Sequence, residues 1–130
     1  ALSGGGARDT AVSLPAPLLA PPISDVSLLI GGTLVSSDGV YLGDVLSSSE
    51  SLNSICRGSG TYSSPFSDLS IQNLHGPYGS ALSNQSANNP SATSPPLIHM
   101  EGKPAARLTT SAILDHAINT SELLAALECP

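Results

Sequence analysis

Apolar residues in this chain come in short runs, each bounded by glycine, proline or serine. Val26-Ser-Leu-Leu-Ile30 is the densest, followed by Gly31-Gly32 and then Thr33-Leu-Val35. A short apolar run closed by glycine predicts a strand. That strand has two readings. It is an internal strand, since sequential strands tend to pair locally, or it is donated to the open sheet edge of another copy. In the second reading Val26, Leu28, Leu29 and Ile30 are the assembly residues. Two further places put an acidic-Gly pair between apolar stretches, at Asp38-Gly39 and at Glu101-Gly102. Glycine accepts the positive φ that tight hairpin turns demand, so matching hairpins are predicted over 33–47 and 96–110. At the C-terminus, Asn119-Thr-Ser-Glu122 has the form of a capping box. It predicts a short helix over 121–128 with Leu123, Leu124 and Leu127 on one face. Residues 112–119 fit neither period.

Between the predicted hairpins the pattern changes. Ser54-Ile-Cys-Arg-Gly-Ser-Gly-Thr-Tyr-Ser-Ser-Pro-Phe-Ser67 lies without a gap over Ser70-Ile-Gln-Asn-Leu-His-Gly-Pro-Tyr-Gly-Ser-Ala-Leu-Ser83, a spacing of 16 residues. A third copy begins at Ser86-Ala-Asn-Asn-Pro90 and closes on Pro95-Pro96. Thr33–Ser49 lies over Pro96–Ala112 in the same way, at an offset of 63. Internal periodicity marks one supersecondary unit used several times. Residues 54–94 hold too much Ser, Gly, Asn and Pro for helices or long strands, and short strands and turns are expected there. The fold class expected is therefore mainly β: a small repeat-built β domain with two similar hairpins, a turn-rich middle and a short C-terminal helix.

These motifs, in this order, resemble a family of small secreted bacterial proteins of unknown function. Its members carry tandem S-I-x-N-x-Y-G-x-Y-G-S-x-Y-S repeats between two D-G segments. Asp38-Gly39-Val40-Tyr41-Leu42-Gly43 matches the opening segment. Ser70-Ile71-Gln72-Asn73 with Gly76-Pro77-Tyr78-Gly79-Ser80 matches the core repeat. Ser86-Ala87-Asn88-Asn89-Pro90 with Ala92 and Pro95-Pro96 matches the close. The resemblance covers about 34–118. The chain departs from it where the first Tyr of each repeat is Ser59, His75 or Ser91, and where the second acidic-Gly segment lacks its aromatic. The resemblance implies a secreted, repeat-built module and carries no activity with it.

Composition narrows the function classes. At 130 residues the chain fits one domain with tails: a Gly/Pro-rich extended arm over 1–24 and a single domain over 25–130. The arm, with Gly4-Gly5-Gly6 and a polyproline-like stretch over 15–22, is expected to pack on something, most simply a neighbouring subunit. Only 11% of residues are charged, against about 25% in ordinary soluble domains. A subunit that buries surface against neighbours tolerates that better than a monomer. The net charge is −6, and the basic residues Arg8, Arg57, Lys103 and Arg107 are scattered. Nucleic acid and anionic membrane surfaces are therefore excluded as partners, since both need a basic patch. No apolar run approaches the ~20 residues of a membrane-spanning helix. A chain beginning at Ala1 fits a mature product after signal-peptide removal, which predicts a secreted or cell-surface location. In that setting Cys56 and Cys129 form a disulfide; two unlinked thiols are the alternative.

Candidate chemistry is thin. His75, His99 and His116 have no metal-motif spacing, and their counterparts in the repeats are not histidine. No G-x-S-x-G elbow is present among the many serines, whose hydroxyls suit turns. Tyr62 and Tyr78, one repeat apart, and Tyr41 suit either packing or a sugar-binding stripe, packing being the better use in a chain this poor in aromatics. No catalytic residue, metal or cofactor is expected, and the chain is not read as an enzyme. The expectation is a structural protein that polymerises into an extracellular filament or surface layer through its N-terminal arm. The alternative is a non-catalytic accessory or binding subunit of a larger secreted or cell-surface complex.

Overall fold

The computed structural model describes residue 18 and residues 25–47, 50–56 and 60–129. Most of the arm expected over 1–24 lies outside these residues. The described part is mainly β, with one five-stranded sheet and one short α-helix. The strands are β1 (Thr33–Val35), β2 (Tyr41–Asp44), β3 (Leu97–Met100), β4 (Lys103–Leu108) and β5 (Ala117–Ile118). They run in the order β2-β1-β3-β4-β5. All pairs are antiparallel except β4 with β5.

Local chemistry sets the two reversals. Between β1 and β2, Gly39 takes φ 98° and its N–H bonds to the Ser36 carbonyl at 3.0 Å. Asp38 accepts a bond from the Ser36 hydroxyl. Between β3 and β4, Glu101 and Gly102 take φ 54° and 79°. Two successive positive φ values make the tight turn whose twist matches the flanking strands. The sheet is then completed by contacts remote in sequence: Leu34 of β1 pairs with Ile98 of β3, and Ile98 with Ala106 of β4.

The strand expected over Val26–Ile30 is not one. Val26–Leu29 is a single-turn 3-10 helix. Asp25 caps it, its Oδ1 accepting from the Ser27 N–H at 3.0 Å and the Ser27 hydroxyl at 2.7 Å. Gly31, at φ 100°, then turns the chain so that its N–H reaches the Val45 carbonyl at 2.8 Å. Leu29 enters the core with no exposed surface, Val26 and Ile30 pack against that core, and Leu28 stays 63% exposed. So short an apolar run does not disclose its period; here the cap at Asp25 and the turn at Gly31 decide it.

The helix α1 (Thr120–Ala126) starts where Asn119 Oδ1 accepts from the Ser121 N–H at 2.8 Å. It buries Leu123, with its C-cap Leu127 buried beside it, and packs against the 3-10 helix. A disulfide joins Cys129, just beyond it, to Cys56, with Cα atoms 4.9 Å apart. The core under the sheet contains Leu34, Leu42, Ile98, Ala106 and Leu108 from the strands, with Ile55, Ile71 and Ala87 from the segment between β2 and β3.

Candidate interaction surface

The segment from Gly60 to Ser94 closes one turn after another. Ser67 N–H bonds to Ser64 C=O, Ser70 to Ser67, Asn73 to Ser70 and Gly76 to Asn73, at 3.1–3.3 Å. Gly76 C=O then accepts from Ser80 N–H at 3.0 Å, a step one residue longer, and Ser86 bonds to Ser83 and Ala92 to Asn89. Where a serine or asparagine opens a turn, its side chain works as well. Ser64, Ser67, Ser70, Asn73, Ser80, Ser83, Ser86 and Asn89 each accept the N–H two residues on, at 2.9–3.2 Å. Serine and asparagine are suited to this because their short side chains mimic a backbone turn.

Three successive carbonyls receive side chains from the chain that follows. Gln72 Nε2 donates to Ile55 C=O at 2.5 Å, Asn88 Nδ2 to Ile71 C=O at 3.1 Å, and Thr120 Oγ1 to Ala87 C=O at 3.2 Å. Ile55, Ile71 and Ala87 are fully buried. Three courses thus lie on the core, one led by Ile55, one by Ile71 and one by Ala87. The first rests on β2, where Asp44 N–H bonds to Asn53 C=O at 2.8 Å and Ile55 N–H to Asp44 C=O at 3.1 Å. The last is met by α1. At β2 the fit is close. Gly43, at φ 117°, would put a Cβ 2.7 Å from Tyr62 Cβ and 2.9 Å from Ile55 Cγ2, so only glycine lets the first course approach.

Large apolar side chains stand out from these courses, among exposed polar ones that include Asp68, His75 and Asn84. Phe66 is 90% and Leu82 92% exposed. Both follow a turn-opening serine by two residues, on neighbouring courses. Leu52 and Leu74 are also largely exposed, and Ile113 beyond the segment is 73% exposed. Beside the third course, Pro90, Ser91, Ala92 and Thr93 face Ser111, Ile113 and Leu114 across an uncharged cleft of about 250 Å³.

The residues weighed for chemistry lie apart. Asp115 accepts from Leu18 N–H at 2.9 Å and meets His116 Nδ1 at 2.6 Å and Arg107 Nε at 3.2 Å. Burial opposes its ionisation, but the Leu18 N–H, His116 and the Arg107 guanidinium outweigh it and hold the carboxyl below its ordinary value. Arg107 is only 4% exposed; its pairing with the half-buried Asp115 was not legible in the sequence, where Arg107 reads as one of four scattered cations. His99 sits in β3 and His75 on an exposed turn. Among the described residues no group of three or more His, Cys, Asp and Glu is placed to hold a metal. Tyr62 meets Tyr41 edge-on at 4.9 Å, and Tyr78 is buried, so Tyr62 and Tyr78 share no exposed stripe. Burial and then Asp44, whose Oδ1 accepts the Tyr41 hydroxyl at 2.5 Å, raise the phenol well above its ordinary pKa.

Of the residues expected to mediate assembly, Leu28 is exposed while Val26, Leu29 and Ile30 pack in their own chain. Among the described residues no helix is long and apolar enough to cross a membrane. Comparison with family models, curated proteins and solved structures finds no match.

Proposed function

We propose that this protein is a secreted structural module that associates with copies of itself into an extracellular filament or surface layer, its repeat being one course of turns. The observation that carries this reading is the set of large apolar side chains exposed on the turn courses. Phe66 and Leu82 are about nine-tenths exposed, in a chain only 11% charged. Isolated exposed apolar residues are ordinary, but a run of large ones on one segment marks an association surface. The paired cysteines support an oxidising compartment.

Two features bear on how copies would join. The sheet offers little to strand addition: β2 is covered by the first course, and β5 is only two residues long. Short, covered edges resist edge-to-edge pairing. Association then runs through side-chain faces or through the arm. The described part of the arm, Leu18, bonds to Asp115 of its own chain; arm exchange would remake that bond between copies. Exchange that carried Val26–Ile30 along with the arm would draw Leu29 out of its own core.

Sedimentation velocity and electron microscopy of the full chain, over a range of concentrations, test the proposal. Concentration-dependent polymer is expected. A strict monomer refutes self-association and leaves the accessory-subunit reading, in which the same apolar side chains meet a different chain. Comparing residues 25–130 alone tests the arm: polymer that survives the truncation excludes arm exchange.

A further inference from the structure

We infer that α1 is a strap held shut by the Cys56–Cys129 disulfide and released by a dithiol reductant, while the sheet and the turn courses stay folded. Release does not depend on the self-association proposed above. Cys56, Gln72 and Asn88 hold one position in the three courses. Each follows a buried residue, Ile55, Ile71 or Ala87, and the N–H of each bonds to the serine hydroxyl two residues back, at 2.9–3.0 Å. Gln72 and Asn88 reach back to a carbonyl of the preceding course. Cys56 opens this column, and its side chain joins Cys129 instead. At the far end of the column the Ala87 carbonyl accepts from the Thr120 hydroxyl at 3.2 Å. The strap is therefore tied to the third course where α1 begins and to the first course just beyond its end.

Leu123 and Leu127 add an apolar hold, but the helix itself has only 7 residues. That is well short of the ~12–15 at which a helix begins to stand alone in water. Its exit is strained. Glu128 N–H bonds to Ala125 C=O and Cys129 N–H to Leu124 C=O, both at 3.0 Å, the paired bonds of a Schellman end. Such an end needs a left-handed residue, and Glu128 takes φ 56° where glycine is the usual occupant. A residue held there persists only while its surroundings enforce it, and the next residue is Cys129. The bonds that hold the rest of the domain bypass the sulfurs: Gln72 and Asn88 between courses, Asp44 with Asn53 and Ile55 at β2, Thr109 with Ile118 between β4 and β5. Cys56 is only 2% exposed and Cys129 is half-buried, so a reductant thiolate attacks the Cys129 sulfur. Cys56 leaves as a thiolate and is protonated. The second thiol of the reductant then displaces Cys129, also protonated, and the reductant ends as a cyclic disulfide. Two electrons and two protons pass from the dithiol to the protein.

Hydrogen–deuterium exchange of the full chain, oxidised and after dithiothreitol, tests this under native conditions, with alkylation and mass spectrometry counting the free thiols. Once both thiols are free, the amides over 123–129 should exchange at least roughly tenfold faster, the mark of local opening. Those of β1, β3, β4 and the turn courses should keep their protection, and reoxidation should restore the slow rates. Cys129→Ser should exchange quickly over the same helix without reductant and be unmoved by it. Glu128→Gly supplies the residue that the helix end requires and should slow exchange of the reduced strap severalfold; an unchanged rate would take strain at Glu128 out of the mechanism. A reduced strap that stays within about twofold of the oxidised one would show that its leucines suffice, and the switch is then wrong. Loss of protection throughout the chain makes the disulfide a staple of the whole domain and overturns local release. So does a disulfide that dithiothreitol leaves intact in the folded protein.

Discussion

Replacing Asn88 with alanine tests whether side-chain amides hold the turn courses together. Asn88 Nδ2 donates to two carbonyls, Ile71 at 3.1 Å and Gly79 at 3.0 Å. Both residues are buried. Alanine withdraws the donor from both. Each buried acceptor left unpaired costs about 1–3 kcal/mol, so Asn88→Ala should destabilise by about 2–5 kcal/mol after partial relaxation. Against a total of ~5–15 kcal/mol for a domain, that is a large fraction. At roughly 4 °C per kcal/mol for a domain of ~100 residues, the thermal midpoint should fall by about 10 °C or more. Asn84→Ala is the matched control. Asn84 also makes side-chain bonds, to Thr93 N–H at 2.8 Å and to Thr93 Oγ1 at 2.8 Å, but it is exposed and water replaces them. Its loss should cost less than about 1 kcal/mol. Urea unfolding followed by circular dichroism reads both variants, with an unchanged m-value showing that the same surface is exposed on unfolding. If Asn88→Ala lies within about 0.5 kcal/mol of the wild type, or matches Asn84→Ala, the reasoning fails.

Three further outcomes follow from the geometry. Cys56→Ser opens a loop whose ends are 73 residues apart; chain entropy for such a loop is worth about 4 kcal/mol, so the thermal midpoint should drop markedly, and a midpoint insensitive to reductant in the wild type would contradict this. Gly79→Ala places a Cβ 2.6 Å from Ile71 C=O and closer still to Asn73 C=O; because both obstacles are backbone, it should cost about 1–3 kcal/mol or more, whereas Gly102→Asn, in open space at φ 79°, should cost under about 1 kcal/mol by chemical denaturation. The Asp115 carboxyl is held below its ordinary value, so its contribution is full above about pH 4 and drains as pH falls through the lowered native value; Asp115→Asn should be less stable at neutral pH and lose less on acidification, and parallel stability curves for the two proteins from neutral to acid pH would count against the role given to Leu18, His116 and Arg107.

How much of the molecule was legible depended on the range of the signal. The reversals were legible because a positive φ is a property of one or two residues: Gly39 and Gly102 take it wherever the neighbouring strands go. The start of α1 was legible for the same reason, since Asn119 caps through an N–H two residues away. Val26–Ile30 misled because four apolar residues in a stretch of five fit strand and helix alike, and the outcome rested on a cap at Asp25 and a turn at Gly31. The exposed apolar set was hidden within the repeat itself. Phe66 and Leu82 stand at matching positions, as do the buried Ile55 and Ile71, and spacing alone does not say which matched pair faces water.

By itself, the sequence determined the mainly β character, the places where the chain reverses and the capped C-terminal helix. These are local: each depends on backbone torsion or on a hydrogen bond spanning a few residues. Only the tertiary structure decided that β1 joins β3, that β5 runs parallel to β4, and that Arg107 is buried against Asp115. Only it decided that the amides of Gln72 and Asn88 reach carbonyls 17 residues back, and that Phe66 and an apolar cleft face outward on different courses. These contacts depend on which surfaces are buried together once the chain is compact, and their energy is set by removal from water rather than by any neighbour in sequence.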